Sequence, residues 1–441
     1  MREHVDLACT HIDHCPFRAE TAPRFNGALS KNTYAIVLAG GRGSRLMQLT
    51  DWRAKPALPF GGKLRIIDFP LSNCINSGVR RIGVATQYMA HSLIHHIQRG
   101  WNFLDDQFDE FVDVLPAQQH AQGGCYAGTA DAVFQNLNLI SESEPEYVLI
   151  LGGDHIYKMD YSRMLADHFS KGADLTVACI DVPLESATPF GVMVVDETWR
   201  VTDFQEKPEH PAPILGRPDH ALVSMGIYIF STRFLYEQLN LDNNDPNSGH
   251  DFGKDIIPKL VPHYRVFAHR FVDSCVNMVG GVPYWRDVGT VDAYWEANMD
   301  LVQLKPDLNL YDDDWPIRTH QTQLPPAKFV FNYDGLRGHA MDSMISGGSI
   351  ISGATIERSL LFSKVFVREH SLIQDSVILP NVEIGRHVTL KRVVVDKHCI
   401  IPDGFTAGVD SAIDQQRFHV TECGITLITP GMLGQAIRQV R

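Results

Sequence analysis

AIVLAGGRGSRL, Ala35 to Leu46, runs on almost at once into RAKPALPFGGKLRIIDF, Arg53 to Phe69, and the rest of the chain is arranged around this pair of segments. Tyr34 to Leu38 is an unbroken apolar run, the composition of a strand buried on both faces of a parallel sheet. It stops at Gly40-Gly41-Arg42-Gly43. Glycines there permit a tight turn and let the backbone come close to a ligand, and successive N–H groups in such a turn form an anion nest. Arg45 and Lys55 add fixed positive charge beside it, a combination suited to a polyphosphate. The spacing is neither G-x-G-x-x-G nor G-x-x-x-x-G-K-[ST], which disfavours dinucleotide oxidoreductases and P-loop NTPases. A glycine-rich turn alone is a weak signal. Lys55-Pro56, Gly61-Gly62-Lys63 and Asp68, all within one short stretch, strengthen it.

Composition narrows the class. The 441 residues, 44% of them hydrophobic, suffice for two domains with real cores. A net charge of -13 argues against a nucleic-acid or acidic-membrane surface, while leaving room for a local basic pocket. Eight cysteines without a CxxC pair suggest neither a disulfide framework nor a zinc ribbon. No apolar run approaches the ~20 residues of a membrane helix, and no signal-peptide core is evident at the N-terminus. A reduced, cytoplasmic protein is expected. CTHIDHC, Cys9 to Cys15, is too compressed for the usual zinc spacing and reads as an accidental cluster in an N-terminal extension, residues 1–30.

From 31 to 304 apolar strands alternate with helical segments. Strands are expected at Arg81–Thr86, Tyr147–Leu151, Leu175–Ile180 and Ser224–Phe230, and helices at His91–Trp101, Thr129–Ser141, Ser162–Ser170 and Val291–Val302. The alternation predicts a parallel, doubly wound α/β sheet with its ligand at the carboxyl ends of the strands. Asp154 follows YVLILGG at such an end, where it can face the crevice and hold Mg²⁺ or else cap a following helix. Asp287, in PYWRDVGT, is a second carboxylate, and two carboxylates are what a phosphate-bridging metal would need. Phe190 to Pro208 reads as a hairpin that delivers Glu206-Lys207 to one end, the carboxylate suited to sugar hydroxyls and the ammonium to a phosphate. Ser224 and Gly226 start a strand beside that pocket, and Tyr126 lies in the loop before a helix. His155 is given no role as a base, because a phosphate-oxygen nucleophile has no proton to lose. His95-His96 point to different faces of a helix and do not chelate together. His250 reads as a neighbour of a helix cap.

GGRGSRL, DFPLSNCINSG, QYMAHSLIHHIQRGW, GTADAV, GGDHIYKMDY, FGVM, EKP, SMGIYIF, HDFGKDIIP and YWRDVGT occur in this order. From about Tyr34 to its end the chain resembles the bacterial glucose-1-phosphate adenylyltransferases (ADP-glucose pyrophosphorylases). The resemblance implies a Rossmann-like nucleotidyltransferase domain that makes ADP-glucose and pyrophosphate from ATP and α-D-glucose 1-phosphate for glycogen synthesis. It further implies that Gly40, Gly41, Gly43, Arg45 and Lys55 hold the nucleotide and that Asp154 and Asp287 hold Mg²⁺. Lys207 would take the sugar phosphate, with Tyr126, Gly191, Glu206 and Ser224 around the glucose. A homotetramer with small-molecule effectors is implied as well, Arg53 and Arg65 serving the effector. Trp52, Glu142, Pro430 and Gly434 stand where many relatives carry cations for the effectors, which argues against fructose 1,6-bisphosphate as activator.

Residues 305–330 have a linker composition rich in Pro and Asp. Beyond, in 331–441, apolar residues recur every six positions at Ile350, Ile356 and Phe362, and again at Val382, Val388, Val394 and Ile400. That period predicts a β-helix of hexapeptide repeats, and the resemblance implies a left-handed one that mediates oligomer contacts and regulation. The alternatives are a nucleotidyltransferase using another NTP, a hexapeptide-repeat acyltransferase, and a catalytically silent regulatory subunit. The last is opposed by the charges retained at Arg45, Lys55, Asp154, Lys207 and Asp287.

Overall fold

The computed structural model describes residues 27–117, 125–330 and 337–436, so the Cys9–Cys15 cluster lies outside the described residues. Nine strands form the central sheet: β1 (Thr33–Ala39), β2 (Arg81–Thr86), β3 (Phe111–Pro116), β4 (Tyr147–Gly152), β5 (Leu175–Pro183), β6 (Gly191–Val195), β7 (Val201–Glu206), β8 (His220–Ser231) and β9 (Val266–Arg270). Their order is β7-β6-β8-β4-β1-β2-β3, with β5 also on β8 and β9 on β5. Strand β1 sits near the middle, and its apolar run divides between two cores. Ala35, Val37 and Ala39 pack with Leu93 and Ile97 on one face, Tyr34 and Ile36 with Val133 and Ile140 on the other.

The expectation of a parallel sheet holds for β4, β1, β2 and β3. It fails for β8, which runs antiparallel to β4, β5 and β6, so the sheet is mixed. Parallel neighbours need a crossover of a dozen or more residues, whereas antiparallel neighbours need only a short link. Between β5 and β8 the connections carry one short 3₁₀ turn, Leu184–Ser186, and no α-helix. A second difference lies at Thr129–Ser141, which is two helices, Thr129–Phe134 and Leu137–Glu142. Asn136 interrupts them: its side-chain amide donates to Ala132 O at 2.7 Å and to the Tyr126 hydroxyl at 3.0 Å, the competition with helical bonding typical of asparagine.

Residues 328–330 and 337–428 wind into a β-helix of three sheets, parallel apart from the antiparallel pair His419–Val420 and Thr426–Ile428. Its first strand, Lys328–Val330, lies at the end of the stretch expected as linker and pairs with Ile350–Ser352. Ile350, Phe366, Glu383 and Ile400 stack in register, so successive coils take 16 or 17 residues rather than the 18 of three full hexapeptides. This shortening corrects the period of six. Ile350 and Ile400 point outward, 37% and 48% exposed, and Ile351 and Ile401 fill the interior in their place. Phe362 and Val394 also leave the solenoid core and pack instead against the first domain, with Leu58, Phe60 and Tyr294.

Candidate active site

The cleft opens at the carboxyl ends of β1, β2 and β4, where the parallel half of the sheet predicted it. A cavity of about 630 Å³ is lined by Gly40, Gly41, Gly43, Arg45, Lys55, Tyr126, Asp154, Gly191, Glu206, Lys207 and Ser224. Gly43 turns the chain back at φ 61°, and a Cβ there would sit 3.0 Å from Lys55 Cβ. The turn can therefore lie directly on the lysine only as glycine.

Lys55 is 5% exposed, and its ammonium donates to Asp154 Oδ2 at 2.9 Å and to Asp287 Oδ1 at 2.7 Å. The carboxylates meet because Trp285–Asp287 pairs antiparallel with His155–Tyr157, setting Asp287 opposite His155. Asp154 is followed by that short strand and not by a helix, so the capping alternative falls. Burial would raise the Asp154 pKa, but Lys55 and then His155 outweigh it and hold the carboxyl well below the usual range. Burial likewise lowers Lys55, and Asp154 and Asp287 more than restore it, leaving the ammonium above its ordinary value. Arg45 Nη2 stands 3.5 Å from Asp287 Oδ2 at the open side.

A divalent metal can be tested against this donor set. Asp154, His155 and Asp287 offer ligand atoms within 4.8 Å of one another. Two carboxylates are hard oxygen donors of the kind Mg²⁺ takes, while the imidazole lies outside its preference. The two aspartates fit the ion.

Across the cleft, Glu206 ends β7 and pairs with the next residue, Lys207 Nζ to Glu206 Oε1 at 3.0 Å. Lys207 has φ 47°, a strained backbone for a side chain of that size and a recurrent mark of binding sites. A Cβ on Gly191 would meet the Phe204 ring at 2.5 Å and Glu206 Oε2 at 3.0 Å. Strand β8 bulges between Ser224 and Tyr228, with Gly226 at φ 69°, which bends the strand around the pocket. The Tyr126 hydroxyl is engaged by Asn136.

Other lining residues escaped the sequence reading: Gln87, Thr129, Phe190, Asp251 and Trp285. Gln87 follows the end of β2 as Asp154 follows β4, so the strand-end rule could have found it. Asp251 reads locally only as a helix cap, accepting from Lys254 N at 3.0 Å, and its second oxygen accepts from the Thr129 hydroxyl at 3.0 Å. Trp285 packs edge-on against His155 and Phe190 at centroid distances of 5.0 and 5.3 Å. His250 stays structural, its Nδ1 bonded to Asp242 at 2.8 Å, and His96 is buried on Asp68 while His95 faces outward.

Arg53 and Arg65 are not in this cleft. Arg53 is 2% exposed and bonds through Nη2 to both Asp396 oxygens, at 2.6 and 2.7 Å, while its Nε and Nη1 have no partner among the described residues. Arg65 donates to Ser92 O at 2.8 Å, and burial lowers its pKa to about 10. Lys397 adjoins both arginines; burial first, then Arg53, brings it down to about 8.

A nucleotidyltransferase domain carried on a hexapeptide-repeat solenoid is the class that this fold and cleft define. Residues 34–303 match the nucleotidyl transferase family, and residues 325–428 match the GlmU-like C-terminal hexapeptide family. Curated relatives named glucose-1-phosphate adenylyltransferase include those of Nitrosospira multiformis, 67% identical over 94% of this chain and 97% of the relative, and Nitrosomonas europaea, 66% identical over 95% and 97%. That of Dechloromonas aromatica is 61% identical over 99% of this chain and 100% of its own. The chain belongs to the glucose-1-phosphate adenylyltransferase family. Among the described residues no helix is long and apolar enough to cross a membrane.

Proposed function

We propose that this chain transfers the adenylyl group of ATP to α-D-glucose 1-phosphate, giving ADP-glucose and pyrophosphate for glycogen synthesis in the cytoplasm. The observation that carries the reading is the Lys55 ammonium seated between Asp154 and Asp287 under a glycine turn, with Glu206–Lys207 on the opposite wall. The turn and Arg45 grip the triphosphate. Lys207 takes the sugar phosphate, while Glu206, Ser224, Gly191 and Tyr126 surround the glucose. The phosphate oxygen of the sugar then attacks the α-phosphorus in line and pyrophosphate leaves. Rate comes from positioning and charge stabilisation, with no covalent intermediate and no general base. Asp154 and Asp287 would hold Mg²⁺, which when bound would offset charge on the phosphates.

The unpartnered Arg53 nitrogens, with Arg65 and Lys397 alongside, suit an anionic effector at the junction of the two domains. The same reading takes the assembly as a homotetramer. A pyrophosphate-release assay with ATP, UTP, GTP and dTTP against glucose 1-phosphate tests the reaction: turnover with ATP exceeding the others is expected, and a preference for another NTP would overturn the adenylyl assignment. Repeating it with a panel of phosphorylated metabolites tests the effector site, and light scattering tests the tetramer.

A further inference from the structure

Two of the groups that meet in the cleft are footed on the solenoid. Lys55 lies two residues after Arg53, in a 3₁₀ turn closed by Ala57 N to Ala54 O at 3.0 Å. Arg53 is tied to Asp396, which lies 343 residues further along and whose side chain is 6% exposed. Asp287 precedes helix Val291–Asp300 by one short turn. That helix rests on the solenoid through Trp295 Nε1 to Asp375 O at 2.8 Å, the Thr421 hydroxyl to Asp292 Oδ1 at 2.5 Å, and Arg392 over the Trp295 ring at 5.0 Å. Asp154 has a separate footing, on β4 of the central sheet.

We infer that Asp396 is a positioning residue for the transfer reaction: by fixing Arg53, the β-helix sets where Lys55 stands relative to Asp154 and Asp287. The inference rests on the reading of the cleft given above. A buried ion pair that keeps its partner is a rigid strut, because any displacement leaves a charge uncompensated in a low-dielectric setting. Arg53 Nη2, shared between both Asp396 oxygens at 2.6 and 2.7 Å, makes a charge-assisted contact that fixes the arginine's position more closely than an apolar contact would. The strut's other end, Asp396, directly follows the strand Val393–Val395, whose Val393 and Val395 side chains belong to the solenoid core. The solenoid is thus part of the active-site scaffold. Among the described residues the glucose wall shows no such tie: Gly191, Glu206, Lys207 and Ser224 sit on or beside β6, β7 and β8.

That asymmetry gives the test. In the full-length protein, Asp396→Asn keeps the side-chain volume and removes the charge. It is expected to lower kcat about tenfold or more, the scale of a small misplacement at a reacting centre. The Mg²⁺ concentration for half-maximal rate should rise with it, because Lys55 and the two aspartates share one cluster. KM for glucose 1-phosphate should stay within about twofold of the parent. A parental kcat and Mg²⁺ dependence overturns the inference. So does a rise in KM for glucose 1-phosphate as large as the Mg²⁺ shift, which would mean general loosening. Arg53→Lys keeps the charge but replaces the rigid planar guanidinium with a shorter, flexible ammonium; it should shift the Mg²⁺ dependence in the same direction by less, and parental behaviour there overturns the inference even where Asp396→Asn does not fold. Lys55→Met, run in parallel, separates the levels. Lost turnover in Lys55→Met with parental behaviour in Asp396→Asn defeats the positioning role alone, whereas parental turnover in Lys55→Met defeats the cleft reading and this inference with it.

Discussion

One ammonium between two carboxylates makes Lys55, Asp154 and Asp287 a unit whose members cannot be removed independently. Asp154→Asn leaves the side-chain volume but removes a charge from that unit. Turnover should fall by about 10²–10³-fold, as for other preorganised electrostatic contacts, with the circular dichroism spectrum unchanged; near-parental pyrophosphate release would remove Asp154 from the chemistry. Lys207→Gln acts on the opposite wall. Loss of a charge-assisted contact worth about 1.5–3 kcal/mol should raise KM for glucose 1-phosphate about 10- to 100-fold, with KM for ATP little changed, as initial-rate measurements would show. His168 carries a pH effect. It is buried on Thr176 at 2.8 Å, and burial lowers its pKa from 6.5 to about 4. The unfolded chain binds the proton more readily, so stability is complete above about pH 6.5 and declines as pH falls toward 4. Chemical denaturation across that window should show a shallower decline in His168→Gln. Single residues were legible in the sequence where a strand end or a glycine turn marks them, as at Asp154 and Gly43. Asp251 was not, because its local pattern marks only a helix cap and its contact with Thr129 joins segments 122 residues apart.

At the scale of elements, legibility followed how local the governing interaction is. Strand β2 came out at the expected residues, Arg81–Thr86, because an apolar run between polar flanks needs no outside information. The antiparallel return of β8 did not, since an apolar run is the same in either direction and only the absent crossover helix betrays it. The solenoid shows the same limit in finer grain. Inward residues follow one another at intervals of five or six, Ile351, Ile356, Leu361, Val367, Ile373 and Ile378, and a count of strict sixes drifts off them within two coils. Left-handed corner residues absorb the difference. Arg358, Asp375 and Arg392 stack at one corner, and His370 and His387 at another with rings 4.6 Å apart, all at positive φ. The drift predicts a sharp contrast between neighbours. Ile351→Ala removes a fully buried side chain and should cost about 2–5 kcal/mol, whereas Ile350→Ala, on the outer face, should stay within about 0.5 kcal/mol. Equal losses for both in urea unfolding would mean that the coil is registered differently.

For the whole molecule, the decisive surface is the one shared by the two domains, and nothing in the sequence announces it. Leu46, Leu49, Leu58, Phe60, Tyr294 and Leu301 of the first domain form one core with Leu360, Phe362, Val377, Leu379, Val394 and Leu427 of the solenoid. Each half reads locally as an ordinary buried residue of its own domain, so Phe362 and Val394 fit the repeat in sequence while serving the interface in space. A continuous apolar face of that kind behaves as a domain core cut in two, unlike the more polar contact between domains that move freely. The resemblance assigned the solenoid oligomer contacts and regulation; the shared core gives it, in addition, a part in holding the first domain together. A chain ending at residue 304 should expose this apolar face to water and free Arg53 from Asp396, loosening the turn that carries Lys55. It should therefore elute as aggregates on gel filtration and release no pyrophosphate, and residues 305–441 supplied as a separate polypeptide should restore solubility and activity together, because both losses have one cause. A monodisperse fragment with the parental kcat would show that the interface is dispensable and that the cleft stands on the central sheet alone.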